Sequence, residues 1–75
     1  MENLDFDQLS RAYHEATDRW IDAIRSEEAL ATSDHSIVQM EKWDAADFAV
    51  QDAETAAKKA RDAYKDALRQ KNYGF

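Results

Sequence analysis

Chemistry begins with side chains that titrate, ligate or attack, and this chain offers few in useful company. His14 and Asp18 stand at i,i+4, the spacing at which two ligands share a helix face, and Glu15 is adjacent. A carboxylate-bridged metal bundle would add a Glu-x-x-His repeat directed into a core, and no such tetrad occurs. His14 is therefore read as a solvated flank residue, and His35, beside Asp34, as a turn residue. The serines at 10, 26, 33 and 36 lack the base and orienting partner that a nucleophile requires. Gly74 is the sole glycine and there is no cysteine or proline, which excludes glycine-built phosphate loops, disulfides and thiolate metal sites. The expectation is no catalytic, cofactor or metal site and no small-molecule substrate.

What the sequence does supply is charge, unevenly placed. Residues 1–57 carry fourteen Asp/Glu against Arg11, Arg19, Arg25 and Lys42, a net of −10, whereas residues 58–75 carry six Lys/Arg against Asp62 and Asp66, a net of +4. Asp18, Asp22, Glu41, Asp44, Asp47 and Glu54 form a candidate acidic partner face. Spaced negative charge speeds association with basic proteins and competes for grooves built for phosphates. Lys65, Arg69, Lys71, Tyr73 and Phe75 form a candidate basic and aromatic tail. The basic row from Lys58 to Arg69 is diluted by Asp62 and Asp66, and the acidic body opposes phosphate binding. Nucleic acid is accordingly the least favoured partner. No membrane span and no signal peptide are expected from the apolar runs, so a cytoplasmic location is expected.

The elements that must position these groups are helices. Alanine recurs at 46, 49, 53, 56, 60, 63 and 67, alternating steps of three and four, and so forms one stripe down a helix. A second row, Trp43, Val50, Ala57 and Tyr64, repeats every seven beside it. Upstream, Phe6, Leu9, Tyr13, Ala16, Trp20, Ala23 and Leu30 keep the same spacing. Asp5 with Gln8 makes a capping box, and Leu4 with Leu9 occupies the positions of a hydrophobic staple. Helix 1 is expected over about 6–31, a polar turn over about 32–36, and helix 2 over about 37–73. Ser36 with Gln39 is a second capping box, with Ser33 or Asp34 as alternative caps, and Gly74 suits the left-handed stop, with Phe75 folding back on the last turn.

The predicted fold class is all-α: an antiparallel helical hairpin, one domain over residues 1–75. Its expected seam sets large residues on helix 1 (Phe6, Leu9, Tyr13, Trp20) against alanines on helix 2 (Ala49, Ala56, Ala60, Ala63), with Tyr13 near Ala56 and Phe6 near Ala63. Two helices cannot enclose a core: the Trp43, Val50, Ala57 and Tyr64 row, together with Met40, Phe48, Leu68, Ile21 and Ile24, leaves apolar surface that one hairpin exposes, and Met40, Trp43, Val50, Ala57 and Tyr64 are assigned to a homodimer face that closes a four-helix bundle. Helix 2 is expected to outrun helix 1 and leave the tail overhanging.

The functional expectation is a non-enzymatic, acidic protein–protein interaction module that dimerises and binds a protein partner. In size, charge and helicity alone the chain resembles small acidic inhibitors such as phage-encoded DNA mimics and anti-CRISPR proteins. That resemblance implies, as the alternative, inhibition of a basic nucleic-acid-binding protein. In architecture the expected hairpin dimer is similar to that of the plasmid copy-control Rop family, which implies RNA binding as a third reading.

Overall fold

A computed structural model describes residues 5–32 and 35–74, and among these the chain is two α-helices packed on one another, with no strand. Helix α1 spans Phe6–Glu28 and α2 spans Ile37–Tyr73. No helix among the described residues is long and apolar enough to cross a membrane.

Three of the four helix ends are set by a local hydrogen bond of the expected kind. The Gln8 backbone N–H donates to Asp5 Oδ1 at 3.0 Å, and the Gln39 N–H donates to Ser36 Oγ at 3.2 Å. Each cap satisfies one of the donors that a helix start leaves without an intrahelical acceptor. Gly74 ends α2 at φ 79°, and its N–H donates to the Gln70 carbonyl at 3.1 Å. A side chain there would strain the left-handed backbone. The expected roles of Leu4, Ser33, Asp34 and Phe75 lie outside the described residues.

The exit from α1 departs from expectation. The helix stops at Glu28 rather than about residue 31, and the chain tightens: Leu30 N–H donates to Glu27 O at 3.0 Å and Ala31 N–H to Glu28 O at 2.9 Å. These i→i−3 bonds are the 3₁₀ pattern in which helices often finish. The connection therefore runs from 29 to 36 and is longer than the expected turn. Gln39 takes a second role here, because its side-chain Nε2 donates to the Leu30 carbonyl at 2.7 Å, clasping the start of α2 to the end of α1.

The longer connection shifts the register. The expected neighbours were Ala63 for Phe6 and Ala56 for Tyr13. Instead Lys71 Nζ lies 5.1 Å from the centroid of the Phe6 ring, and Tyr13, Thr17 and Trp20 gather with Ala57, Lys58 and Arg61 around one shallow groove. With Lys71 beside the first residue of α1, the tail does not overhang as expected, and α2 continues past it only to Tyr73.

The seam on α2 is also turned by one residue. The inward row is Ala46, Val50, Ala53, Ala57, Ala60, Tyr64 and Ala67, while Ala49, Ala56 and Ala63 are exposed. Val50, Ala57 and Tyr64, assigned from sequence to a dimer face, lie inside the hairpin. Both rows obey the 3–4 spacing, so periodicity cannot choose between them. Area does, since facing Val50 and Tyr64 toward α1 removes more apolar surface from water than facing Ala49 and Ala63 would, at about 25 cal/mol per Å². Phe6, Leu9, Tyr13 and Trp20 all sit half-buried on the α1 side of this seam.

The core that results is thin. Among the described residues only Ala16, Ala57 and Ala67 are buried, at 6%, 3% and 4% exposure. A larger side chain between two helices always keeps one side open. The molecule is a rod of 55 × 18 × 17 Å with a radius of gyration of 17.2 Å, against about 11 Å for a compact domain of this length.

Candidate interaction surfaces

Because the core is thin, the functional question concerns which side chains the rod presents. Helical spacing gives the hairpin two broad faces, one on either side of the plane of its two axes. On one of them α1 contributes Tyr13, Thr17, Trp20, Ile21 and Ile24, and α2 contributes Met40, Trp43, Lys58 and Arg61. The grooves confirm the grouping: Ile21, Ile24, Glu27, Glu28 and Trp43 line one of about 390 Å³, and Tyr13, Trp20, Ala57, Lys58 and Arg61 line one of about 110 Å³. A third, of about 610 Å³, lies beside the turn between Leu30, His35, Gln39, Met40 and Trp43.

This face is the apolar one, and it grows more apolar toward the turn. Ile21 is 42% exposed, Ile24 43%, Met40 63% and Trp43 37%. Ile37 and Phe48, also exposed, continue around the outer side of the turn half of α2, while Val38, likewise exposed, stands at the turn end of the alanine row on the other side. Of the five residues expected to form the dimer face, the structure leaves Met40 and Trp43 at the surface and withdraws Val50, Ala57 and Tyr64. Ile21, Ile24 and Ile37 take their place. The signal for them was the apolar type of Ile21 and Ile24 just outside the α1 seam; Ile37 and Val38 carried none, because their exposure follows from where α1 stops.

The opposite face is low and plain. It carries the exposed alanines 45, 49, 56 and 63 of α2, with Glu15, Arg19 and Asp22 of α1 nearby. Arg19 Nη2 lies 3.8 Å from Glu15 Oε1, both well exposed, a pair of the kind that contributes only a few tenths of a kcal/mol.

Charge divides along the rod. Of the candidate acidic residues, Asp18, Asp22, Glu41, Asp44 and Asp47 are exposed and Glu54 is half-buried; all but Asp18, which stands near the middle, lie on the turn-side half of the rod. Between positions 37 and 57, α2 carries Glu41, Asp44, Asp47, Asp52 and Glu54 against Lys42, a net of −4. Beyond it, Lys58, Lys59, Arg61, Lys65, Arg69 and Lys71 against Asp62 and Asp66 give +4. Glu54 and Lys58 meet at the boundary, 2.7 Å apart. In the basic half Arg61 lies 3.1 Å from Asp62 and Arg69 2.9 Å from Asp66. Of the candidate tail, Lys65 and Arg69 flank this half, Lys71 covers Phe6, and Tyr73 is 71% exposed.

His14 is exposed and its ring stacks on that of Tyr13, with centroids 6.1 Å apart and planes 12° from parallel. Among the described residues no three His, Cys, Asp or Glu side chains are arranged to hold a metal ion. No protein-family model, curated protein or solved structure matches the chain.

Proposed function

We propose that this chain is a non-enzymatic protein–protein interaction module, a helical hairpin that self-associates into a four-helix bundle and offers its acidic flank to a protein partner. The observation that carries the reading is the apolar face of exposed Ile21, Ile24, Met40 and Trp43, continued by half-buried Tyr13 and Trp20, on a rod whose core among the described residues is three alanines. The total surface of 5976 Å² exceeds by about 1,300 Å² what a compact monomer of 8.6 kDa exposes. That excess is of the order of the surface each chain contributes to an ordinary stable interface, about 800 Å². Large apolar patches on small helical proteins mark contact sites. Light scattering or sedimentation tests the reading: a particle near twice the chain mass is expected, and a monomer at high micromolar concentration refutes it.

A second reading, inhibition of a basic nucleic-acid-binding protein by charge mimicry, is favoured by the carboxylates gathered on the turn half. It requires that capture of the partner from a host lysate weaken steeply with salt and disappear when Asp44, Asp47 and Glu54 are all changed to Lys. Capture that survives the triple change rules it out.

A further inference from the structure

The exposed apolar face has two possible symmetric ways to meet a second copy, and the charge on α2 distinguishes them. With the turns at the same end, the two acidic turn halves lie together. With the turns at opposite ends, α2 runs antiparallel to its counterpart and the −4 half of each meets the +4 half of the other. We infer that the partner on this face is a second copy of the chain, packed with turns at opposite ends and α2 against α2, on a two-fold axis that crosses α2 at Glu54 and Thr55. The inference rests on the self-association proposed above and adds to it the orientation, the axis and the pairing residues.

The axis follows from the positions of the charges. Asp44, Asp47, Gln51, Glu54, Lys58, Arg61, Lys65 and Arg69 recur at steps of three and four, so they run along one flank of α2, the flank that borders Trp43 and the grooves. An antiparallel partner centred between 54 and 55 sets Asp44 across from Lys65 and brings Asp47 within one residue of Arg61, which stands beside Asp62 at the mirror position, each twice by symmetry. Gln51 then meets Lys58, and Met40 meets the stem of Arg69, whose aliphatic part covers apolar surface while its head stays wet. At the axis itself the two Glu54 carboxylates approach one another. Each is already held by its own Lys58 at 2.7 Å, so the centre becomes an alternating quartet instead of a bare repulsion. Arg61 and Arg69 keep Asp62 and Asp66 within their own chain; those pairs are exposed, and a guanidinium has donors to spare for a second carboxylate.

The apolar residues on α1 agree with the same axis. Tyr13, Thr17 and Trp20 share a groove with Ala57, Lys58 and Arg61, so the axis, about four residues nearer the turn, crosses α1 near Trp20 and Ile21. It then carries Ile24 of one copy toward Thr17 of the other, and the reverse. The bulky turn half of one hairpin thus covers the narrower open half of its mate, which a same-end arrangement would leave wet.

Two variants and one cross-link test this. Asp44→Lys/Asp47→Lys and Arg61→Glu/Lys65→Glu each turn four attractive contacts of the dimer into repulsions. Each alone should weaken dimerisation by roughly tenfold or more, with helicity in far-ultraviolet circular dichroism unchanged. Mixed in equal amounts they should form a heterodimer of near-parental affinity, because every reversed charge then meets a reversed partner. Glu54→Cys, in a chain with no other cysteine, should oxidise to a covalent dimer, since only an axis through this position sets it against its own copy. A wild-type monomer overturns the self-association reading itself. A dimer indifferent to both reversals, without the cross-link, keeps that reading and overturns the antiparallel arrangement, as does any species larger than a dimer, which would mean face-to-back packing on the alanine stripe.

Discussion

Replacing Ala57 by leucine would test the packing of the hairpin at its tightest point. Ala57 is 3% exposed and faces α1, whereas Ala56, one position away, is exposed on the alanine flank. Leucine and alanine are both good helix formers, so intrinsic propensity barely separates the two substitutions. At position 57 the added atoms must displace α1 or enter the groove between Tyr13, Thr17 and Trp20, whose volume of about 110 Å³ takes part of the side chain. Overpacking a closed site destabilises by about 1–3 kcal/mol, and the adjoining groove places Ala57→Leu in the lower part of that range, about 1–2 kcal/mol. For a domain of this size each kcal/mol moves the midpoint by about 4–8 °C, so the melt should fall by about 4–16 °C. Ala56→Leu should stay within about 0.5 kcal/mol of the parent. Thermal melts at one fixed protein concentration decide the matter, since association shifts the apparent stability. If Ala56→Leu melts low and Ala57→Leu does not, α2 is rotated onto the other alanine row and the seam is misassigned.

Gln39→Ala removes the 2.7 Å bond to the Leu30 carbonyl and should cost about 0.5–1.5 kcal/mol, with faster amide exchange through the first turn of α2; unchanged exchange would mean that the clasp holds nothing. Ser36→Ala removes the cap of α2 and should cost about 1 kcal/mol by denaturant titration, most of it restored by Ser36→Asp. Glu54→Gln breaks the ion pair to Lys58, whose side chains are 37% and 52% exposed, and should lower monomer stability by no more than about 0.5 kcal/mol. Self-association, in contrast, should weaken measurably between low salt and about 0.5 M salt, because intermolecular pairs at the rim are screened beyond a few ångströms; a salt-independent dissociation constant would remove charge from the account of the dimer.

Much of this hairpin is legible in the sequence because its determinants are local. Asp5, Ser36 and Gly74 mark three of the four helix ends through side-chain caps and a positive φ, and these need no knowledge of distant residues. The α1 seam is equally plain, since a single row of apolar residues at 3–4 spacing leaves one choice of face. On α2 two such rows lie side by side, and no local rule separates Ala49, Ala56 and Ala63 from Val50, Ala57 and Tyr64. Packing against α1 decides it, by the area that each rotation covers. The same holds for register, because the end of α1 at Glu28 and the 3₁₀ exit after it determine how far α2 slides, and that slide sets Lys71 on Phe6 and cancels the expected overhang. The acidic and basic halves of α2 are written in the chain itself; that they flank the apolar face of Trp43 and Ile24 is known only once the helix has been turned.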